Sequence, residues 1–153
     1  MSNHTLTGSR SLLTILLLAA TWLLAGCGSG GIKTVPVKGR VTLDGGKWGR
    51  AGLIFFTPAE PAEGYPRRPG MADFDTDGNF VAQTFKPGDG LIPGRYVVNL
   101  ECWEVPPTMG GPPAKSYIPD QYKHGSKSGF EVVVDADERG PIVVEFDIIS
   151  DKK

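Results

Sequence analysis

The chain has 153 residues, with 16 Lys and Arg against 17 Asp and Glu and a formal net charge of −1. That length fits one ordinary domain, and the near-neutral balance, without any long run of like charge, excludes a surface built for nucleic acid or another polyanion. Gly (21) and Pro (13) are abundant, but Val, Ile, Leu and Phe fill the runs between them, so the chain is turn-dense and all-β rather than disordered.

The first element is an apolar run over residues 12–25, broken only by Thr14 and Thr21 and preceded by a weakly basic start containing His4 and Arg10. As a helix it spans about 21 Å, short of a ~30 Å hydrocarbon core, so it suits the apolar region of a signal peptide rather than a transmembrane helix. It closes on Leu24-Ala25-Gly26-Cys27, which resembles the lipobox of bacterial lipoprotein signals at all four positions. The resemblance implies cleavage between Gly26 and Cys27, a diacylglycerol on the Cys27 thiol, and a fatty acyl chain such as palmitate on the new amino group. Small side chains at 25 and 26 allow a membrane peptidase to approach the backbone. Several acyl chains, at ~0.8 kcal/mol per buried CH₂, hold far more firmly than one myristoyl group. The bland alternative is a secretory peptide with an incidental Cys. Gly28, where Asp would favour inner-membrane retention in well-studied Gram-negative sorting, leans toward the outer membrane.

The expected organisation is therefore a signal peptide at 1–26, lipidated Cys27 and a flexible tether at 27–34, a β-sandwich domain at 35–149 and a polar tail at 150–153. Losing the signal removes Arg10 and leaves 127 residues with a net charge near −2. Cys102 is then the one thiol besides Cys27, so no internal disulfide can form.

From Val35 onward the hydrophobic period is two. Val35, Val37, Val41 and Leu43 alternate with polar residues as far as the turn Asp44-Gly45-Gly46. Leu53-Ile54-Phe55-Phe56 reads as a short buried strand stopped by Thr57-Pro58. Residues 71–75 and 79–84 form two strands around Thr76-Asp77-Gly78, and 94–103 is the longest clean strand. Cys102 lies on its inner face with Tyr96, Val98 and Leu100, as a core residue. Residues 130–135 and 142–149 complete seven strands, with Phe130, Val132 and Val134, then Ile142, Val144, Phe146 and Ile148, facing one way. The count predicts a seven-stranded, Ig-like or prealbumin-like β-sandwich. Residues 58–69 read as an exposed polyproline-like loop. Residues 104–129, with five prolines, form a long loop with a short helical turn expected at 116–123.

Three stretches then look familiar: Val37-Lys-Gly-Arg-Val-Thr-Leu-Asp-Gly-Gly-Lys47, Asp75-Thr-Asp-Gly-Asn-Phe80, and Phe85-Lys-Pro-Gly-Asp-Gly-Leu-Ile-Pro-Gly-Arg-Tyr96. With Tyr117-Ile-Pro-Asp-Gln-Tyr122 and Ser128-Gly-Phe-Glu-Val132, they resemble small bacterial lipoproteins that carry a carboxypeptidase-regulatory-like (transthyretin-like) domain. The resemblance covers most of residues 35–148 and implies a prealbumin-like sandwich, for most members without an assigned activity. Trp48-Gly49-Arg50 stands where that family has a Pro-rich turn. The enzyme on this fold that hydrolyses 5-hydroxyisourate uses a His/Arg cluster and a C-terminal Tyr-Arg-Gly-Ser, whereas this chain ends Ile148-Ile149-Ser150-Asp151-Lys152-Lys153.

Few residues suggest chemistry. Asp73, Asp75 and Asp77 open like an EF-hand loop, but Thr84 stands at the twelfth position where a bidentate Glu is needed, so a polar hairpin is expected instead. Asp120, His124 and Ser126 are the one set that could be drawn as a hydrolytic triad, yet nothing marks a nucleophile elbow. One His and one packed Cys do not make a zinc site. Trp48, Tyr65, Trp103, Tyr117 and Tyr122 sit in or beside loops, as end caps of the sandwich or as platforms for a sugar ring or protein. Trp103, Tyr117 and Tyr122 are the candidate ligand-binding residues; no catalytic residue, metal or cofactor is expected. The expected function is a non-enzymatic structural or binding module in the cell envelope, held to the membrane through Cys27, in the outer membrane on its periplasmic or surface face. Its expected partners are an envelope protein or polysaccharide and not nucleic acid. The alternatives are a carbohydrate-binding module using the loop aromatics and, in another class, a small hydrolase.

Overall fold

The structure, a computed structural model, describes residues 31–151; the signal peptide, the cleavage and acylation positions Gly26 and Cys27, and the tether up to residue 30 lie outside the described residues. The alternating sequence becomes nine strands: β1 Val37–Leu43, β2 Gly52–Pro61, β3 Gly70–Phe74, β4 Asn79–Val81, β5 Gly94–Glu101, β6 Trp103–Val105, β7 Lys115–Ser116, β8 Glu131–Val134 and β9 Ile142–Ile148. Period-two burial makes them strands. Tyr96, Val98 and Leu100 of β5 are buried while their neighbours are not, and Val132 and Val134 repeat this in β8. Each such aliphatic side chain contributes about 1.5–3 kcal/mol on leaving water.

Seven strands share one hydrogen-bonded sheet in the order β8-β5-β2-β3-β4-β1-β9, and β6 and β7 form a separate pair. All seven expected strands are in the large sheet, and the fold is all-β and sandwich-like. The sheet is continuous rather than cut into two, because β3 and β4 remain joined at Phe74–Phe80 and by the bridge Met71–Gln83. That thin ladder lets the β4-β1-β9 half fold over the β8-β5-β2-β3 half. Phe146 of β9 consequently meets Phe56 of β2, Phe80 of β4 and Phe130 ahead of β8, with ring centroids 6.4, 5.6 and 5.1 Å away. The first and last strands, β1 and β9, pair in parallel along their whole length.

Four boundaries differ from expectation. β2 does not stop at Pro58 but runs to Pro61 against β5, with a bulge between Pro58 and Glu60. Proline is tolerated because β3 pairs with β2 only as far as Phe56, so from Thr57 on that side is an edge. Arg67 takes the place of β3 there, donating from Nη1 to the Pro58 carbonyl and from Nη2 to that of Ala59, both at 2.9 Å. The long strand expected at 94–103 breaks at Cys102, whose carbonyl accepts from the Tyr117 N–H at 2.8 Å and so hands the chain from β2 to β7. The strand expected at 79–84 ends at Val81. Residues 104–129 hold β7, a 3₁₀ turn at Asp120–Lys123 and a one-turn helix at Gly125–Ser128. These last two cover the part of β5 that the short β8 leaves bare, with the Ser128 hydroxyl on the Val98 carbonyl.

The strand directions divide the loops between two ends. β1 and β9 start at the same end as β3 and β5, and β2, β4 and β8 finish there. This near end holds the start of the described chain and the loops 62–69, 82–93 and 135–141. The far end holds loops 44–51, 75–78 and 102–130 and residues 149–151. Tyr96 fastens the near end, its hydroxyl donating to the Ile92 carbonyl at 2.8 Å from a fully enclosed site that pushes its pKa up to about 12.

Candidate functional site

The far end contains a groove of about 410 Å³ lined by Leu43, Asp44, Tyr117, Ile118, Ser150 and their neighbours. Its first wall is the turn after β1. Asp44 (φ 52°) and Gly45 (φ 71°) both take positive φ, the geometry a two-residue hairpin turn demands and the Asp-Gly pair tolerates. The turn is pinned to the end of β9: Asp147 Oδ1 accepts from Thr42 Oγ1 at 2.7 Å and from the Gly45 N–H at 2.8 Å. Asp44 then accepts from the Ser150 N–H and hydroxyl at 2.9 and 2.7 Å, so the residues after β9 become part of the wall.

The second wall is Ser116 to Pro119. Ser116 Oγ donates to the Ile118 carbonyl at 2.8 Å and holds the turn that displays Tyr117. The Tyr117 ring stands edge-on to Trp48, 5.7 Å between centroids, and the Arg50 guanidinium lies 4.9 Å over it. Trp48 is buried and also meets Phe74 at 5.5 Å. Its Nε1 is the one buried side-chain nitrogen or oxygen, among the described residues, without a hydrogen-bond partner. Leaving such a donor dry costs about 1–3 kcal/mol. The Trp48-Gly49-Arg50 departure from the resembled pattern thus supplies the two side chains that pack against the Tyr117 ring.

The three candidate ligand residues separate. Tyr117 lines the groove. Trp103 is half-buried in β6, opposite Ser116, with its carbonyl facing Arg50 at 3.4 Å. Tyr122 is buried, stacked on Phe130 at 5.4 Å, with its hydroxyl accepting from the Ile149 N–H at 3.1 Å. It closes the seam between the two halves of the sheet and offers no face to a ligand, which corrects its reading as a surface platform. Only a loop residue that the fold later covers can mislead in this way, because sequence does not show which aromatic the 3₁₀ turn will press inward.

The other constellations disperse. His124 Nε2 is 3.6 Å from Asp120 Oδ2, beyond hydrogen-bond distance, and both are exposed. Lys123 sits 2.5 Å from the Asp120 carboxylate and, by hydrogen bond and charge, lowers its pKa. Ser126 is exposed and no hydrogen bond joins it to His124 among the described residues. Asp75 spends its carboxylate on its own turn, accepting from the N–H groups of Asp77 and Asn79, both at 2.9 Å; the Asn79 bond is foremost in lowering its pKa. No three His, Cys, Asp or Glu side chains gather to hold a metal among the described residues. What the groove offers is the Tyr117 ring, the carboxylates of Asp44 and Asp151 and the side chains of Ser116 and Ser150.

Cys102 packs in the core as expected, with Sγ 3.5 Å from the Ala51 carbonyl, and burial pushes its thiol up to about 11. At pH 8 that leaves on the order of 0.1% thiolate behind a packed wall. The folded protein should therefore resist a maleimide for hours at pH 8 and take up one equivalent at Cys102 within minutes in 6 M guanidinium. Rapid native labelling at Cys102 would show the strand end to be open.

No family model matches the chain, and neither a curated protein nor a solved structure matches it. No helix among the described residues is long and apolar enough to cross a membrane.

Proposed function

We propose that this chain is a lipid-anchored envelope protein whose β-sandwich acts without catalysis, as a structural or binding module of the carboxypeptidase-regulatory-like kind. Acylated Cys27 holds it to the membrane, by the sorting residue Gly28 the outer one, on the periplasmic or surface face. The observation that carries the reading is directional. The Leu24-Ala25-Gly26-Cys27 motif precedes a domain whose chain starts at the near end, while the Tyr117 groove lies at the far end. Strands of seven or eight residues, at ~3.3 Å each, set that groove about 25 Å along the sheet from the end where the described chain begins, a separation that suits a partner away from the anchored end. The carbohydrate reading retains one specific support, Tyr117 with Asp44 and Ser116 beside it, and loses Tyr122.

Cys27→Ser in the full chain is the direct test. The parent should pellet with membranes after a high-salt wash and show an intact mass lacking residues 1–26 and gaining acyl groups. The variant should remain unacylated and move to the soluble fraction. A Cys27→Ser protein that still pellets after the wash would overturn the anchor. Soluble sandwich carrying Tyr117→Ala and its parent, compared for retention on immobilised envelope polysaccharide, separate the sugar reading from a protein-binding one.

A further inference from the structure

We propose that the near end of the sandwich is a bilayer-contact surface, centred on Phe85 and Arg68, that rests on the phospholipid headgroups. This deepens the anchored reading and depends on it. The chain is fastened to the domain early: Lys33 Nζ donates to the carbonyls of Ala136 and Glu138, and Val35 and Leu91 exchange N–H···O bonds of 2.8 and 2.9 Å. Only residues 28–32 separate Cys27 from that fastening. Six Cα steps reach at most about 20 Å. The headgroup layer is itself ~5–8 Å thick. The near-end loops are therefore kept within reach of the lipid surface.

Those loops present the right chemistry on a rigid mount. Phe85 is 46% exposed and belongs to no core cluster. Its turn is held by the Asp89 carboxylate, which accepts from the N–H groups of Thr84, Phe85 and Lys86 at 2.7, 3.1 and 3.3 Å. The Arg68 guanidinium lies 4.6 Å over the ring, an apolar body beneath a phosphate-binding head. Arg67 and Lys86 flank the pair, and Ile32, just before the fastening, is 45% exposed. The same end also carries Asp135, Asp137 and Glu138 with Arg139, on the loop whose carbonyls Lys33 bonds.

The test uses the acylated protein in vesicles of phosphatidylethanolamine and phosphatidylglycerol containing a headgroup-region spin-labelled lipid. A bimane placed at Glu63→Cys reports the near end and one at Met109→Cys the far end; Cys27 is acylated and Cys102 buried, so only the introduced thiol reacts. Quenching at 63 should exceed that at 109 at least threefold and should fall to within twofold of it after Phe85→Ser with Arg68→Ser, two exposed side chains whose loss leaves the core intact. Equal quenching at both sites, or strong quenching at 63 that survives the double substitution, would overturn the contact while leaving the anchor standing. Protein that fails to float with the vesicles at all would overturn both.

Discussion

Phe146→Ala should be the most damaging single truncation in the sandwich, lowering its stability by about 3–5 kcal/mol. The residue is buried in β9 and touches three rings: Phe80 from β4 in its own half, in a stacked pair 7° from parallel, and Phe56 from β2 and Phe130 from the segment before β8 in the other. Tyr122 stacks on Phe130 and extends the same row to the seam. Ring pairs of this sort add about 0.5–1.5 kcal/mol each beyond their buried area, and they cannot re-form around an Ala. The row lies within the one buried core that the two halves share, which matters because β3 and β4 pair at so few positions. With a urea m-value of ~2 kcal/mol/M, the unfolding midpoint should fall by roughly 2 M. Val143→Ala is the matched control, on the same strand but 69% exposed and facing outward, and should change stability by less than about 0.5 kcal/mol. Equal losses from the two would mean that the halves are held by something other than the aromatic row.

The strands were legible because burial at every second residue leaves its mark directly in the order of side chains. Tyr96-Val-Val-Asn-Leu-Glu-Cys102 could hardly be read otherwise, and the turns at Asp44-Gly45 and Asp77-Gly78 announced themselves through residues that accept positive φ. What could not be read were features that depend on partners distant in the chain. Whether Pro58 ends a strand depends on β3 stopping at Gly70 and on a guanidinium arriving from position 67. The parallel pairing of β1 with β9 joins the two ends of the domain, and nothing local encodes it. The groove shows the same division. Tyr117 was singled out as a loop aromatic. Trp48 stood out as a loop aromatic and, with Arg50, as a departure from a resembled pattern, but not as the pair that packs on Tyr117. Asp44 was legible as a turn residue, whereas its pairing with Ser150 had no signal, since those hydrogen bonds span most of the domain. Tyr122 carries the clearest lesson. In sequence it matches Tyr117, five residues away in the same loop, yet one 3₁₀ turn places it under the seam and leaves Tyr117 half-buried on the groove wall.

Gly90→Ala should destabilise the near end by about 3 kcal/mol or more, for two reasons that act together. Gly90 has φ +92°, a conformation that costs an L-residue about 1–3 kcal/mol, and a Cβ there would lie 1.9 Å from the Val35 carbonyl oxygen and 2.8 Å from Pro36 Cα. Both obstacles are backbone, so no flexible side chain can swing away; the chain leading into β1 must move, and overpacking of that kind adds about 1–3 kcal/mol. Movement there breaks the Val35–Leu91 pair and the Gly90 N–H bond to the Ala82 carbonyl at 3.0 Å. Gly64→Ala separates the two causes. It has a similar φ of +80°, in the neighbouring near-end loop, but nothing lies within 4 Å of its added Cβ, so it bears the backbone strain alone, at the low end of the same 1–3 kcal/mol because its loop is free to relax, about 1 kcal/mol. Chemical denaturation of the two variants should therefore show Gly90→Ala losing at least twice as much as Gly64→Ala. Hydrogen exchange should quicken at Val35 and Leu91 in the first variant only, with the Tyr117 groove unchanged at the other end. Similar losses in both would mean that the start of β1 yields freely.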